Sequence, residues 1–277
     1  EMIIFNEEKL LVAKSNFSSS DFIDLKNWDT YEKHDYIIFN PVHTWIEYIN
    51  RLIGALSGIP ILLFTIISVF YFKTYKHLTF FSILTVLCMG FQAWLGKTVV
   101  DSNLAPFKIT FHMLMALLII ALLIYLVNST SKFAIKRNKI FTNFLFVAIV
   151  LTLIQIVLGT QVRQFVDEQA NIYYDKHQWF NEIPMVYEYH RSFSLVVITV
   201  NFGLFYLNKK LNLGNNYITY VIVLIFIEAL SGVVMFYFDF PFGSQTIHLF
   251  IASLIFGFQF FILLQNMTFK DKLSYEV

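Results

Sequence analysis

Residues 108–129 read KITFHMLMALLIIALLIYLVNS, and after Lys108 this stretch carries no Asp, Glu, Lys or Arg. About 20 predominantly apolar residues form a helix long enough to cross the roughly 30 Å hydrocarbon core of a bilayer. Together with six similar stretches, it predicts seven transmembrane helices. The predicted spans cover residues 51–72, 78–97, 108–129, 140–162, 188–208, 217–238 and 245–267. Within the middle of these spans, a charged side chain stands out at Glu228.

The composition of the chain excludes several other classes of protein. Of its 277 residues, 57% are hydrophobic and 14% are charged, whereas soluble domains average about 25% charged. A soluble globule and a disordered chain are both inconsistent with these values. Lys and Arg number 20 against 19 Asp and Glu, so the charge does not favour nucleic-acid binding. The single cysteine, Cys88, excludes an intrachain disulfide framework and a multi-cysteine zinc site.

The distribution of basic residues predicts the orientation in the membrane. Lys and Arg collect in connections on one side, which should be cytoplasmic: Lys73, Lys76, Lys132, Lys136, Arg137, Lys139, Lys209, Lys210, Lys270 and Lys272. The opposite side receives the polar segment 1–43 and the loop 163–187. We therefore expect an integral membrane protein, of a bacterial cytoplasmic membrane, with long polar loops outside and the C-terminus in the cytoplasm.

An internal repeat relates the two halves of the chain. Residues 92–96 (QAWLG) resemble residues 228–232 (EALSG), and a histidine follows 16 residues after each terminal glycine, at His112 and His248. A second match joins residues 48–52 (YINRL) to 188–192 (EYHRS), with their arginines in register. Self-similarity of this kind indicates two copies of one structural plan.

The repeat predicts the organisation of the fold, which we expect to be all-α. A predicted span, 140–162, lies before the second copy of the match (188–192). No predicted span lies before the first copy (48–52). We therefore expect an eighth helix upstream of residue 1, which would complete two pseudo-repeated four-helix bundles. The expected parts are an outer polar segment 1–43, an N-terminal bundle 44–130, a C-terminal bundle 140–267 and a cytoplasmic tail 268–277.

His190 and His248 begin different spans on the same predicted side. Two neutral imidazoles on facing helices are the usual ligands of a six-coordinate haem iron. Arg191 could then pair with a haem propionate, because guanidinium suits carboxylate recognition. The alternative is that each histidine only hydrogen-bonds a neighbouring helix. The repeated placement favours metal ligation by His190 and His248.

The corresponding positions of the first half are Asn50 and His112. Asparagine is a poor haem ligand, and His43 lies seven residues before Asn50, about 10 Å along a helix. A haem held by His112 alone would keep an open axial position, which suits oxygen chemistry. Glu47 shares a helix face with Asn50. It is a functional candidate because charge in a membrane is costly; the alternative is an interfacial carboxylate in water or paired with Arg51.

These motifs together resemble the haem A synthase family over about residues 40–267. The resemblance rests on residues 47–51 (EYINR), on the pattern from Gln92 to Gly96 with His112, on residues 155–163 (QIVLGTQVR), on His190-Arg191, and on residues 230–232 (LSG) with His248. Two departures stand out: Asn50 occupies a position where the commoner pattern has histidine, and the first helix with its cysteine-containing loop is not in the sequence, which indicates a truncated member.

The resemblance implies an oxidoreductase that converts the C8 methyl of haem O to the formyl group of haem A by successive hydroxylations. It implies haem b as the cofactor of the C-terminal bundle, with His190 and His248 as ligands. Haem O would be the substrate in the N-terminal bundle, with His112 as an axial ligand, Glu47 as the catalytic carboxylate, and Asn50, Arg51 and Arg191 as cofactor-binding residues. The implied partners are the bilayer, haem O synthase, a quinone or other electron acceptor and terminal oxidase assembly, with a homo-oligomer left open.

Two other functions stay open from the sequence. A b-type cytochrome that only carries electrons would use His190 and His248 equally well, but it gives Glu47 no role. A multispan transporter or non-catalytic assembly factor would use the repeat as a scaffold. Extraction of the pigment discriminates among the three, because only the synthase should contain haem O or haem A beside haem B.

Overall fold

The computed structural model describes residues 3–6, 9–13, 26, 28–30, 41–101, 107–130, 138–173, 176–180 and 182–267. Within these ranges lie seven long helices: α1 (Pro41–Phe70), α2 (Lys76–Asp101), α3 (Lys108–Thr130), α4 (Lys139–Ile172), α5 (Met185–Lys210), α6 (Tyr217–Tyr237) and α7 (Ser244–Met267). Each is long and apolar enough to cross a membrane. The seven predicted spans and the all-α polytopic fold are therefore confirmed.

Consecutive helices pack side by side. Helices α4 to α7 form a closed four-helix bundle, in which α4 also contacts α7. Helix α7 packs on α3, α3 packs on α2, and α1 packs mainly on α2. The contact between α3 and α7 is close because Gly257 has no side chain: a Cβ there would lie 3.5 Å from Ile124 and 3.6 Å from Ile120. This junction joins the two halves of the repeat.

The core lies mainly in the C-terminal bundle and extends onto α3. Phe141, Leu145 and Ala148 of α4 are completely buried, as are Leu204 of α5 and Ile218 of α6. Lipid tails are as apolar as these side chains, so close packing and interhelical hydrogen bonds hold such helices together rather than burial from water. Most exposed large side chains on the helices are apolar, as is expected of a surface that faces lipid.

Several helices continue beyond their apolar spans. Helix α4 ends at Ile172, whereas the sequence predicted a loop from residue 163. The extra turns are polar, and Arg163 pairs with Asp167 at 3.4 Å while Gln164 donates to Glu168 at 2.8 Å. These contacts join residues four apart on one helix face, which supports a helix in water beyond the membrane. Side-chain contacts within the helix therefore support α4 beyond residue 163, where hydropathy alone predicted its end.

The N-terminal segment contains three short strands that the sequence did not predict. Strands β1 (Ile3–Asn6), β2 (Lys9–Ala13) and β3 (Trp28–Thr30) form an antiparallel sheet in the order β1-β2-β3. Phe5 pairs with Leu10, and Val12 pairs with Asp29. Residues 268–277, predicted as a cytoplasmic tail, lie outside the described residues.

Candidate functional site

Three histidines occupy equivalent places in the fold. His112, His190 and His248 each lie in the first two turns of an odd-numbered helix, namely α3, α5 and α7. Each ring packs against a glycine of the preceding helix. Because consecutive helices alternate in direction, all three rings lie at one end of the molecule. We call it the histidine end.

The facing glycines allow this close packing. A Cβ on Gly96 would lie 3.3 Å from Cε1 of His112, and a Cβ on Gly159 would lie 3.1 Å from Cε1 of His190. At Gly232 the corresponding distance to His248 is 3.7 Å. The first two distances are shorter than an ordinary van der Waals contact, so an added side chain would displace the ring. Glycine thus fixes how deeply each imidazole sits between its helices.

A polar residue four positions before each glycine completes a repeated unit. We name these Gln/Glu–Gly–His units 1, 2 and 3: Gln92, Gly96 and His112; Gln155, Gly159 and His190; Glu228, Gly232 and His248. A spacing of four places the polar side chain and the glycine on one helix face. The sequence repeat identified units 1 and 3, and the structure adds unit 2 to the same pattern.

The polar residue of each unit reaches the histidine in its own way. Nε2 of Gln92 lies 3.3 Å from Nε2 of His112. Gln155 instead donates to the backbone carbonyl of His190 at 3.0 Å. Glu228 places Oε1 3.2 Å from Nε2 of His248. The sequence identified Glu228 as the counterpart of Gln92, but it did not predict this contact, which depends on how the two helices pack.

The units also contain buried polar atoms that have no hydrogen-bond partner among the described residues. They are Oε1 of Gln92, Nδ1 of His112, Oε1 of Gln155, Nδ1 of His190 and Oε2 of Glu228. A buried polar atom without a partner costs about 1–3 kcal/mol. Their place beside the three histidines is what a site for a further polar or metal-containing group requires.

Units 2 and 3 bring their histidines together across the C-terminal bundle. The ring centres of His190 and His248 are 6.3 Å apart, with 68° between the ring planes. Metal–nitrogen bonds of about 2.0–2.1 Å and the size of an imidazole place two ring centres roughly 6.2–6.5 Å apart when both rings bind one metal ion from opposite sides. The observed separation fits two axial ligands of a haem iron.

The predicted residues of the first half lie on α1, and no described hydrogen bond joins them to His112. Glu47, Asn50 and Arg51 are exposed. Arg51 donates to Glu47, whose side chain is 52% exposed, while the described side-chain bond of His112 goes to Gln92. The structure therefore shows the ion-paired form of Glu47 that the sequence left open. The side chain of His43 lies outside the described residues.

An arginine beside His190 also pairs with an acid of its own helix. Arg191 donates to Glu188 at 3.0 Å, and its guanidinium lies 6.0 Å from the ring of Tyr187. Arg191 is 60% exposed in this pair. It is therefore accessible to a second carboxylate at the histidine end, as a surface ion pair is easily exchanged.

An apolar groove lies beside unit 1 between α2 and α3. It has a volume of about 250 Å³ and is lined by Phe91, Leu95, Phe111, Leu114, Met115 and Leu118. Phe111 and Leu95 directly neighbour His112 and Gly96 in the chain. The sequence did not predict this groove.

The fold and the repeated histidine units define a polytopic helical membrane protein with histidine-lined sites at one end. Residues 26–260 match the COX15-CtaA family, described as cytochrome oxidase assembly protein. The chain belongs to this family, so the resemblance that the sequence motifs indicated is confirmed at the level of the family.

Curated relatives carry the name haem A synthase. The chain is 25% identical over 246 residues to the protein of Ehrlichia canis (strain Jake), covering 79% of this chain and 69% of the relative. It is 26% identical over 247 residues to that of Wolbachia pipientis subsp. Culex pipiens (strain wPip), covering 76% and 71%. A protein of Pelagibacter ubique (strain HTCC1062) is 30% identical over 131 residues, covering 44% and 38%.

Proposed function

We propose that this protein is a haem A synthase that oxidises the C8 methyl of haem O to a formyl group, with haem b as its resident cofactor. The observation that carries the haem b site is the 6.3 Å separation of the His190 and His248 rings, which belong to units 2 and 3. Membership of the cytochrome oxidase assembly protein family and relatives named haem A synthase support the proposal.

In the C-terminal bundle, His190 and His248 would hold the iron of haem b from two helices. When bound there, haem b supplies reversible one-electron transfer. Gly159 permits the close approach of the His190 ring, and Arg191 is placed to exchange Glu188 for a propionate. Iron binding at Nε2 of His248 would replace its contact with Glu228. These residues therefore bind and orient the cofactor.

In the N-terminal half, His112 would bind the substrate haem O. Its Nδ1 has no described partner, and Nε2 faces the amide of Gln92. Asn50 and Arg51 would contribute to this pocket from α1, with Arg51 binding a propionate. Asn50 occupies the repeat position of His190, and asparagine is a poor haem ligand. His112 would therefore be the histidine that holds haem O, and the opposite face of the haem would stay open for chemistry.

Glu47 is the proposed catalytic carboxylate. Its role would be to stabilise positive charge that develops at the oxidised methyl, or to orient a water molecule for attack there. Its present partner is Arg51, one helical turn away, so the carboxylate must exchange this ion pair for the substrate. An exposed ion pair contributes only about 0–1 kcal/mol, which makes the exchange energetically accessible.

The sequence and the seven spans also support a location and partners. The protein would lie in a bacterial cytoplasmic membrane with the histidine end on the outer side. Haem O synthase would supply the substrate, a quinone or another acceptor would take the electrons, and terminal oxidases would receive the product.

The experiment is pigment analysis of the full chain, purified from a bacterial membrane that also produces haem O. We expect haem B together with haem O or haem A, and a Soret band typical of two histidine ligands. Haem B alone would favour an electron-carrying b-type cytochrome and overturn the proposal. Protein without any haem would favour a transporter or a non-catalytic assembly factor.

Glu47→Gln tests the catalytic assignment. The variant should keep its haem B content while haem A formation falls by about 10²-fold, the lower end of the effects of general acid–base groups. The measurement is the ratio of haem A to haem O in extracts. Glu168→Gln is the matched control, because Glu168 is also an exposed acid in a contact within its own helix. Normal haem A formation in Glu47→Gln would exclude Glu47 from catalysis.

A further inference from the structure

Ser231 on α6 lies directly before Gly232, with its hydroxyl beside the ring of His248. Its Oγ is 2.7 Å from Nδ1 of His248 and 2.7 Å from the backbone carbonyl of Glu228. A carbonyl only accepts hydrogen bonds, so the single hydroxyl proton of Ser231 is directed to Glu228. The oxygen of Ser231 is then left to accept a hydrogen bond from His248, which requires a proton on Nδ1.

This hydrogen bond determines which nitrogen of His248 is free to bind a metal. A neutral imidazole carries one proton, so a proton on Nδ1 leaves a lone pair on Nε2. Nε2 of His248 lies on the far side of the ring from Ser231, 3.2 Å from Oε1 of Glu228. Histidine ligands of metals commonly donate their second N–H to a neighbouring acceptor, which fixes the tautomer and the orientation of the ring.

The other two units lack this hydroxyl. The residue before the glycine is Leu95 in unit 1 and Leu158 in unit 2. Nδ1 of His112 and Nδ1 of His190 are buried and have no hydrogen-bond partner among the described residues. Of the three histidines, His248 is therefore the one whose Nδ1 is held by a side chain in this part of the structure, and the difference arises at a single repeat position.

We propose that Ser231 is a positioning residue that accepts the Nδ1 proton of His248 and thereby presents Nε2 of His248 to the iron of haem b. This inference rests on the proposed function, because it takes His190 and His248 as the ligands of that haem. It goes beyond it in assigning a role to a residue that does not touch the iron.

The hydrogen bond has a measurable consequence for the bound haem. An acceptor on Nδ1 makes the imidazole a stronger electron donor, which favours ferric over ferrous iron. Ser231→Ala should lower the preference for ferric iron about tenfold. For a one-electron couple this corresponds to a midpoint potential about 59 mV higher. The variant should also release haem more readily, by about 10-fold or more.

The test is a redox titration of the full chain, purified with its haem, for four proteins: the unsubstituted chain, Ser231→Ala, Ser231→Thr and Ser253→Ala. Ser231→Thr keeps a hydroxyl and should restore the potential. Ser253→Ala is the matched control, because Ser253 lies on α7, is only partly buried and donates to the carbonyl of Phe250 at 2.6 Å in its own helix. Its removal should not change the potential.

A raised potential in Ser231→Ala, with restoration by threonine, supports the inference. An unchanged potential in Ser231→Ala that still holds haem overturns the inference alone. Lower haem content without a shift in the potential of the bound fraction also overturns it, because a merely structural role would give that result. If the unsubstituted chain has no haem with two histidine ligands, both the inference and the proposed function fail.

Discussion

At the scale of single residues, the sequence identified polar side chains that are unusual within apolar helices. Histidines at the start of apolar helices are conspicuous because an apolar span has few polar groups, and the repeat singled out His112 and His248. The repeat also placed His190 beside Arg191, and the structure brings His190 to His248. What spacing could predict was the helix face and the membrane side of each residue.

The contacts that complete the units were not predictable in the same way. Ser231 is an ordinary residue within α6, and only the packing of α6 on α7 brings its hydroxyl to His248. The pairing of Glu47 with Arg51 was an open alternative, because a separation of four allows an ion pair but does not require one. Side-chain partners across helices depend on rotation and tilt, which local sequence does not encode.

Gly159→Ala tests the role of the glycines. The added methyl would lie 3.1 Å from Cε1 of His190, so the ring must shift by a few tenths of an ångström. We expect the haem b content of the purified protein to fall severalfold, measured as the ratio of Soret to protein absorbance. Gly232→Ala should cause a smaller loss, because the corresponding distance is 3.7 Å.

Gly90→Ala is the control for this series, because a Cβ at Gly90 would have no atom within 4 Å. Alanine is also the better helix former, so this change should leave the haem content unaltered. Equal haem contents in Gly159→Ala and Gly90→Ala would show that the close approach of His190 to α4 does not matter for the cofactor.

At the scale of helices and strands, hydropathy predicted every span because a membrane sets the length of an apolar helix. It was less accurate about the ends: α1 begins at Pro41, ten residues before its predicted span, and α4 ends ten residues after its own. The added turns of α4 lie in polar sequence, where helix formation depends on local charge pairs, whereas residues 41–50 of α1 are more than half apolar. The three strands were missed because pairs such as Phe5 with Leu10 depend on strand pairing rather than on hydropathy.

A buried polar contact between helices offers a prediction at this scale. Gln259 on α7 donates to Asn201 on α5 at 2.9 Å, and both residues are completely buried. They lie eleven residues after His248 and His190, respectively, so three helical turns separate this contact from the histidines. Such hydrogen bonds in membrane proteins contribute about 0.6–2 kcal/mol.

Asn201→Leu should therefore destabilise the C-terminal bundle by about 1–3 kcal/mol, because the amide of Gln259 loses its partner while it stays buried. The measurement is thermal unfolding in detergent. The double variant Asn201→Leu with Gln259→Leu should recover part of the loss, since no buried amide is then left without a partner. Thr199→Ala, at an exposed position of α5, is the control. No difference between the single variant and the control would exclude a stabilising role for the contact.

At the scale of the whole molecule, the two halves are joined by few polar contacts among the described residues. Thr110 of α3 and Thr160 of α4 lie 2.8 Å apart, and the approach of α7 to α3 at Gly257 is apolar. Unit 1 lies in the N-terminal half, whereas units 2 and 3 face each other inside the C-terminal bundle. Under the proposed function, this separation predicts that the haem b site and the haem O site can be emptied independently.

Histidine substitutions test this independence. His190→Ala and His248→Ala should each remove most of the bound haem b, since one axial ligand is lost in a pocket that needs two. His112→Ala should keep haem b and its two-histidine spectrum, because His112 lies in a different helix pair, while haem A formation ceases. The measurements are the visible spectrum of the purified protein and the haem composition of its extract.

His177→Ala is the matched control, because His177 lies at the same end of the molecule in an exposed pair with Asp239 at 3.2 Å. It should retain both the spectrum and the product. Loss of haem b in His112→Ala would mean that the two halves share one site. If the sites are separate, haem b binding by His190 and His248 does not require His112. A normal two-histidine spectrum in His190→Ala would instead show that the resident haem does not bind at units 2 and 3. The assignment of electron transfer to the C-terminal bundle would then be wrong.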